Sequence, residues 1–537
     1  MSINTDIDAR LRSQTLSRLK SEYFDLLVIG AGITGCGIAR DAAMRGLSVA
    51  LVDAGDMGSA TSSRSSKLIH GGSRYLAQGQ ISVVREAATE RRIIRRLAPH
   101  LSLTNPMVVT AQTKMSLVAL RMGLWVYEKL GKVDKNEHHT IWNVQQCRSN
   151  EPAMQTNDLV GAAVYPEYLT EDSRLTLANA RSAASYGAVV ATYTAVEEIL
   201  QKNGKIVGAL LRTKLAGENE QFSLKARALV NAAGPWVDAV RKMEDKAVEE
   251  KLQLTKGIHL IFSRDRLPIN RTICWTASDK RGLFAVPRDR FVYVGTTDTF
   301  YPNPSYWPKI TGEDVRYLLE SANCAFAVEP LKETDILGMW AGIRPLLAEK
   351  DKNPSEISRR HELLVGTSGM ITVAGGKLTS YRSMAVRVVD ECEKILGRKP
   401  SGSKTDTEPL PGGDFTESFE QLKKNVASLG ISDEEAHRAA RLYGSEAMKL
   451  FARETGPAVE AEFAVKTEGA LTLEDYWVRR SARSNFDYQG GMEALPKAAD
   501  VMANLLNWSK QQRDKQVEIC QQRRKTEMSI LKSADSL

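Results

Sequence analysis

The chain has 537 residues, 42% apolar and 26% charged, the balance of a globular protein long enough for two or three lobes. Its net charge of +8 favours anionic substrates, anionic lipid surfaces or nucleic acid without choosing among them. Six scattered cysteines with no C-x-x-C pair argue against a zinc ribbon or a secreted disulfide framework, and no metal site is expected. The N-terminus is too polar for a signal peptide, and no run reaches the roughly 18 apolar residues of a membrane span. The expectation is an intracellular protein, soluble or held on one membrane face.

Residues 1–23 match no motif and are expected to be a flexible extension. From Phe24, "FDLLVIGAGITGCGIARDAAMRGLSVALVD" reads as a buried strand, a turn with Gly30, Gly32 and Gly35 in G-x-G-x-x-G spacing, a helix over 33–45, and a second strand ending at Asp53. Gly30 permits the tight turn, Gly32 the approach of a pyrophosphate, and Gly35 close packing of helix on strand. Bare N–H groups and the helix dipole face the pyrophosphate, and Asp53 accepts from ribose hydroxyls. Cys36 on this helix reads as a packing residue. The motif serves NAD and FAD alike. Its place at the start of a long chain, with no second complete fingerprint, favours a tightly held FAD.

Next comes "TSSRSSKLIHGGSRYL", residues 61–76, inside a stretch with no carboxylate from Met57 to Arg85. So many donors without a competing acid suit a doubly charged oxyanion. A helical pattern resumes near Ser82. Residues 114–132, apolar in the middle and basic at both ends, fit a buried domain helix or a helix lying on one membrane face. "ARALVNAAGPWV" is a strand ending in small residues, Ala233 and Gly234 among them, where a ligand can approach the backbone. "LQLTKGIHLIF" alternates like a strand and carries His259, which fits a structural residue as well as a base. "FVYVGTTDTF" is another strand, and its Thr-Thr-Asp reads as structural. "MWAGIRPLL" fixes Arg344 before a proline, a good clamp for an oxyanion or carbonyl. "EISRRHELLVG" offers Arg359, with Arg360 its competitor, as a phosphate contact. "MITVAGGKLTSYR" is a strand, a Gly-Gly turn and a helix from about Leu378, with Lys377 at the turn. The terminal "KQQRDKQVEICQQRRKTEMSILK" reads as a charged, solvated helix or a weak lipid contact.

Seven of these segments, "GAGITGCGIARDAAMRGLSVALVD", "TSSRSSKLIHGGSRYL", "NAAGPWV", "KGIHLIF", "VGTTDT", "AGIRPLL" and "VAGGKLTSYR", together resemble FAD-dependent glycerol-3-phosphate dehydrogenase, in that family's order. "LPGG" and "EDYWVRRSAR" resemble its helical cap more loosely. Asp53 stands where the family commonly carries Glu.

The resemblance implies an α/β fold: a Rossmann-like FAD-binding domain of glutathione-reductase type, an antiparallel-sheet substrate lobe over roughly 80–200 and 250–350, and a C-terminal α-helical cap. The flavoprotein region would span 24–400, the cap 405–525 and a tail 526–537. FAD would be bound by Gly30, Gly32, Gly35, Asp53, Thr61, Ser62, Ser66, Lys67, Leu68, His70, Gly71, Gly72, Ala233, Gly234, Gly376, Lys377, Leu378 and Thr379. The helix after Lys377 would point its positive end at the flavin, favouring its reduced anion. The implied reaction is oxidation of sn-glycerol 3-phosphate to dihydroxyacetone phosphate. His259 or His70 is the base, Arg344 holds the C2 oxygen, and Arg74, Arg359 and Lys377 hold phosphate. Expected partners are a membrane quinone and an anionic lipid surface, with a homodimer open and nucleic acid not expected. The expected location is cytoplasmic, peripheral on the inner membrane face. Relatives that use oxygen, and amino-acid or 2-hydroxyacid oxidases of the same architecture, are the alternatives. So is an electron-transfer flavoprotein with no substrate of its own.

Overall fold

The computed structural model describes residues 6–70, 81–348 and 361–532. Gly71, Gly72, Arg74, Arg359 and Arg360 lie outside the described residues. In chain order the strands are Tyr23–Ile29 (β1), Val49–Val52 (β2), Leu68–Ile69 (β3), Leu103–Ala111 (β4), Thr140–Trp142 (β5), Gly161–Leu169 (β6), Val189–Ala191 (β7), Thr194–Lys202 (β8), Lys205–Thr213 (β9), Gln221–Asn231 (β10), Leu252–Ser263 (β11), Thr272–Thr276 (β12), Gly282–Arg288 (β13), Phe291–Gly295 (β14), Thr299–Phe300 (β15), Gly338–Leu347 (β16), His361–Val365 (β17) and Ile371–Gly375 (β18).

The apolar runs that read as buried strands assemble the first sheet, in the order β17-β18-β10-β1-β2-β7. Here β1 pairs in parallel with β2 and β10, β2 with β7, and β10 with β18. The helices Ile33–Met44 and Tyr381–Ile395 pack on it through Ile38, Ala42, Met384 and Val388, all buried. Parallel strands buried on both faces are what near-continuous apolar runs produce. The long β10 reaches beyond this core and pairs antiparallel with β9, which pairs with β8.

The second sheet runs β15-β11-β14-β13-β12-β4-β6-β3, with β16 on β11 and β5 on β6. Its pairings are antiparallel except β12 with β4. β7 and β8 belong to the first sheet, so the substrate sheet does not extend to residue 200 as expected from sequence. The reason is that Val189 pairs with Ala50 and Val190 with Leu51 in parallel register, a long-range pairing invisible locally.

Two further corrections concern the ends. Within 1–23, residues 9–21 are not a loose extension: a turn Ala9–Leu11 and a helix Arg12–Ser21 bury Leu16 and Leu19, and Ile7 bridges to Glu468. The apolar pair Leu16/Leu19, spaced i,i+3, is what anchors this helix. At the other end, Lys510–Ser529 is one helix that passes the expected boundary at 525 and buries Val517 and Cys520 against Leu495–Leu506. It is therefore neither solvated all round nor a tail.

The helices from Phe419 to Lys466 close a core around Leu422, Val426, Leu442 and Phe451. A second cap core gathers Tyr476, Trp477, Leu495 and Met502. Asp56, in the loop after β2, is buried between Arg479 and Arg480 of the π-helical turn Asp475–Arg480. Glu468 likewise receives Arg174 at 2.6 Å. Buried charges of the nucleotide half are thus neutralised by the cap, as burial requires.

The Lys114–Gly131 helix is two-faced. Its inner face buries Leu124 and Tyr127, while Met115, Val118, Met122 and Trp125 are 82%, 57%, 64% and 56% exposed.

Candidate active site

The site is built around the polar segment 61–70, which straps the two sheets together. Ser62 Oγ accepts from Ile33 N at 3.0 Å, at the first turn of the fingerprint helix. Thr61 Oγ1 donates to Ile343 O of β16 at 2.7 Å. Tyr293 donates from its hydroxyl to Ser66 O at 2.8 Å, and Trp340 from Nε1 to Ser65 O at 3.3 Å. The many hydroxyls therefore serve two neighbouring lobes at once.

The absence of acid in this stretch is made good from elsewhere. Asp172, fully buried at the start of the Asp172–Ser185 helix, accepts from Ser65 N and Oγ and from Lys67 Nζ, the last at 2.6 Å. Lys67, 3% exposed, is consequently committed to an internal ion pair. A buried ammonium stays with its buried carboxylate, so the charge of Lys67 is taken up inside the protein.

At the fingerprint, Gly30 has φ +104°, and a Cβ on Gly35 would sit 1.8 Å from Gly30 O. Helix and strand can meet this closely only with glycine there. Asp53 ends the adjacent strand, its oxygens accepting from Ala31 N at 2.6 Å and Gly55 N at 2.8 Å. Burial pushes its carboxyl up to about 6, against the pull of those two N–H groups. Cys36 is buried, and burial raises its thiol well above the ordinary value, in keeping with a packing role.

A cleft of about 310 Å³ runs between the two helix ends of the first sheet. Gly30, Gly32, Asp53, Thr61, Ser62, Ala233, Gly234, Gly376, Lys377 and Leu378 line it. A second pocket shares Thr61, Ser62, Gly376, Lys377 and Leu378 with it and adds Ser66, Leu68, His70, Thr379, His259 and Arg344. Gly35 and Lys67 line neither; the first packs and the second is paired.

Two strands present one wall of this second pocket. In the antiparallel pair β11–β16, His259 lies opposite Trp340, Gly257 opposite Gly342 and Thr255 opposite Arg344. Directly paired residues share a face, and so do residues two apart. His259 and Arg344 therefore look the same way. His259 is 1% exposed, stacks on Trp340 at 4.4 Å and 12°, and has Nε2 3.0 Å from Ser66 Oγ. Its pKa is held well below 6.5, chiefly by burial and then by the Arg344 and Lys67 cations, so the ring is neutral at neutral pH.

Arg344 is clamped by the Thr-Thr-Asp segment that read as structural. Its guanidinium donates to Thr296 Oγ1 at 2.8 Å, Thr297 O at 3.3 Å and Asp298 Oδ1 at 3.1 Å. Thr296 and Asp298 are thus residues that sequence reasoning missed, as are Gly257, Trp340 and Asp172. For Thr296 and Asp298 the signal was the motif's place within the family pattern. A Cβ on Gly257 would lie 2.2 Å from Arg344 Nη2, so the missing side chain makes room for the guanidinium. Thr379 Oγ1 donates to His70 O at 3.2 Å, which joins the strap to the turn after β18.

The residues present fit a dinucleotide with a flavin. The nucleotide fingerprint, a buried acceptor at the strand end and a second helix start at Leu378 share one cleft, and the imidazole and guanidinium stand in the adjoining pocket. Among the described residues, no group of three or more His, Cys, Asp or Glu could hold a metal ion. No helix among them is long and apolar enough to cross a membrane.

The family model for FAD-dependent oxidoreductases matches residues 25–382, and the model for the C-terminal domain of alpha-glycerophosphate oxidase matches 403–513. An aerobic glycerol-3-phosphate dehydrogenase of Staphylococcus epidermidis is 37% identical over 528 residues, covering 94% of each chain. The solved glycerol-3-phosphate dehydrogenase of Bacillus halodurans, complexed with FAD, is 30% identical with a TM-score of 0.81, covering 97% of this chain and 98% of that one. The L-alpha-glycerophosphate oxidase of Mycoplasma pneumoniae, with FAD bound, is 17% identical with a TM-score of 0.54 over 73% of this chain and 99% of that one, a likeness of fold alone.

Proposed function

The chain belongs to the FAD-dependent oxidoreductases, in the family of the aerobic glycerol-3-phosphate dehydrogenases, and on that premise we propose how it oxidises sn-glycerol 3-phosphate to dihydroxyacetone phosphate. The observation that carries the reading is the shared face of β11 and β16, where an imidazole and a clamped guanidinium look into a pocket continuous with the nucleotide cleft.

Bound FAD supplies the hydride acceptor, flavin N5, for the hydrogen on C2. Gly30, Gly32, Asp53, Ser62 and Ala233 hold its nucleotide half, and the turn at Gly376–Thr379 meets the flavin. His259 takes the C2 hydroxyl proton at Nε2, in the tautomer that carries its own proton on Nδ1; its depressed pKa keeps the ring neutral and able to accept. His70 is the other candidate for this role. Arg344 holds the C2 oxygen as it becomes a carbonyl, and the three-point clamp on its guanidinium removes reorganisation from that step. Lys377 binds phosphate, with Arg74 and Arg359 assigned to the same anion from the sequence pattern. Phosphate binding remote from C2 orients the reacting carbon.

The electrons pass on to a membrane quinone. In support, the Lys114–Gly131 helix turns Met115, Val118, Met122 and Trp125 outward beside the exposed cations Lys114, Arg121 and Lys132, a pattern that suits an anionic lipid surface.

Anaerobic glycerol 3-phosphate should bleach the flavin absorbance of the purified holoenzyme. Quinone should restore it much faster than air does. No bleaching would overturn the substrate, and faster recovery in air would overturn the acceptor. Met122→Asp should reduce co-sedimentation with anionic vesicles and leave the bleaching rate unchanged.

A further inference from the structure

Ion pairs and site roles account for the cations Lys67 and Arg344, but not for Arg64. Its backbone belongs to the strap, yet its side chain turns toward the C-terminal helix. Arg64 is 6% exposed, and its guanidinium carbon lies 3.7 Å from the centre of the Trp307 ring. Arg523 of the Lys510–Ser529 helix stacks on the same ring, also at 3.7 Å. Two guanidinium groups sharing one ring repel unless each has a counter-ion. Arg523 has one, Glu474 Oε2 at 2.9 Å. Arg64 has no carboxylate bonded to it: its Nε and Nη2 are buried with no hydrogen-bond partner among the described residues, and Glu527 acts on it only through space. Burial pulls it down to about 10, against the pull of Glu527 and Glu474, with Arg479 and Arg523 adding to the fall.

Arg64 lines a cavity of about 500 Å³ between this helix and the substrate sheet. Trp307, Ile310 and Ala341 bound it from the sheet side, and Ile519, Arg523 and Glu527 from the helix. The other charges there are Lys309, Lys515 and Glu518, and the last two pair with each other at 2.9 Å. Glu527 is half-buried, and desolvation pushes its carboxyl up to about 7. Arg64 also lines the catalytic pocket, whereas Trp307, on which its guanidinium stacks, does not. The local excess is positive and centres on a guanidinium with two unused donors beside an aromatic face.

We propose that this cavity is a second anion site, adjoining the substrate pocket at Arg64 but on the Trp307 side of it, which takes a small oxyanion (a phosphate ester or a carboxylate) as the counter-ion of Arg64. Guanidinium binds either through parallel N–H donors, and a buried one lacking such a partner is costly.

The test is equilibrium dialysis of the holoenzyme against labelled inorganic phosphate at pH 7.5, repeated with labelled acetate. One phosphate equivalent should disappear in Arg64→Met and persist in Lys377→Met. Glu527→Gln, at the helix side of the cavity, should tighten that same equivalent by roughly three- to tenfold, the effect of deleting one nearby negative charge. A carboxylate preference would show as tighter acetate binding, and a phosphate-ester preference as the reverse. Unchanged stoichiometry in Arg64→Met would overturn the proposal. Should that variant not fold, unchanged affinity for both anions in Glu527→Gln would overturn it equally.

Discussion

Gly257→Ala isolates the position of Arg344 from its charge. The new methyl carbon would stand 2.2 Å from Nη2, 2.6 Å from Cζ and 2.4 Å from Thr296 Oγ1. Ordinary non-bonded contact is about 3.5–4.0 Å, so the guanidinium must move by more than about 1 Å. It would leave at least one of its three acceptors on Thr296, Thr297 and Asp298. A misplacement of about 1 Å costs about 10²-fold in rate, which is about 2.7 kcal/mol of barrier. Stability should fall by only about 1–3 kcal/mol, the usual cost of overpacking. The assay is anaerobic stopped-flow reduction of the flavin by saturating glycerol 3-phosphate, with the FAD-to-protein absorbance ratio as control. The expected result is normal FAD content with reduction slowed about a hundredfold. Reduction within twofold of the parent rate, with normal FAD, would refute the claim that the clamp sets the chemistry.

Other substitutions probe the remaining links. His259→Asn should slow flavin reduction by about 10²–10⁴-fold while FAD stays bound, as measured by the same stopped-flow trace. In the parent enzyme the rate should fall only at pH well below 6.5, because the depressed pKa keeps His259 neutral until then and protonation abolishes the acceptor; an acid limb centred at or above 6.5 would contradict this. Asp53, raised to about 6, must be ionised to accept two ribose hydroxyls, so FAD affinity followed by flavin fluorescence should weaken below about pH 6. Asp53→Asn should remove that dependence. Asp56→Ala leaves Arg479 and Arg480 buried without their shared carboxylate and should cost about 3–5 kcal/mol in denaturant unfolding. A loss under about 1 kcal/mol would mean the contact is solvated.

The nucleotide half was legible because its signals are local. Gly30, Gly32 and Gly35 sit between a β-branched run and an alanine-rich helix, and the pairing β1–β2 follows from that order. His259 and Arg344 were legible as members of motifs, and period-two alternation put each on a strand face. That the two faces coincide depends on the β11–β16 register, which no local pattern fixes. The strap shows the limit most clearly. Its lack of acid suggested an anionic ligand for Lys67, whereas Asp172, about a hundred residues on, already supplies the charge. Arg64 stands three residues from Lys67 and ends against a different helix altogether. The N-terminal helix and the cap's arginines were illegible for the same reason: Leu19, Asp56 and Glu468 find their partners only through tertiary contact.

The buried salt bridges to the cap bear on how the polypeptide is made. Asp56, Arg174 and Arg181 emerge from the ribosome early, but Glu446, Glu468, Arg479 and Arg480 emerge only near the end of synthesis. Until then the nascent nucleotide half carries ionised groups that it cannot bury, so its last packing step waits for the cap. A chain terminated near residue 400 should therefore yield a sticky folding intermediate rather than a smaller working flavoprotein.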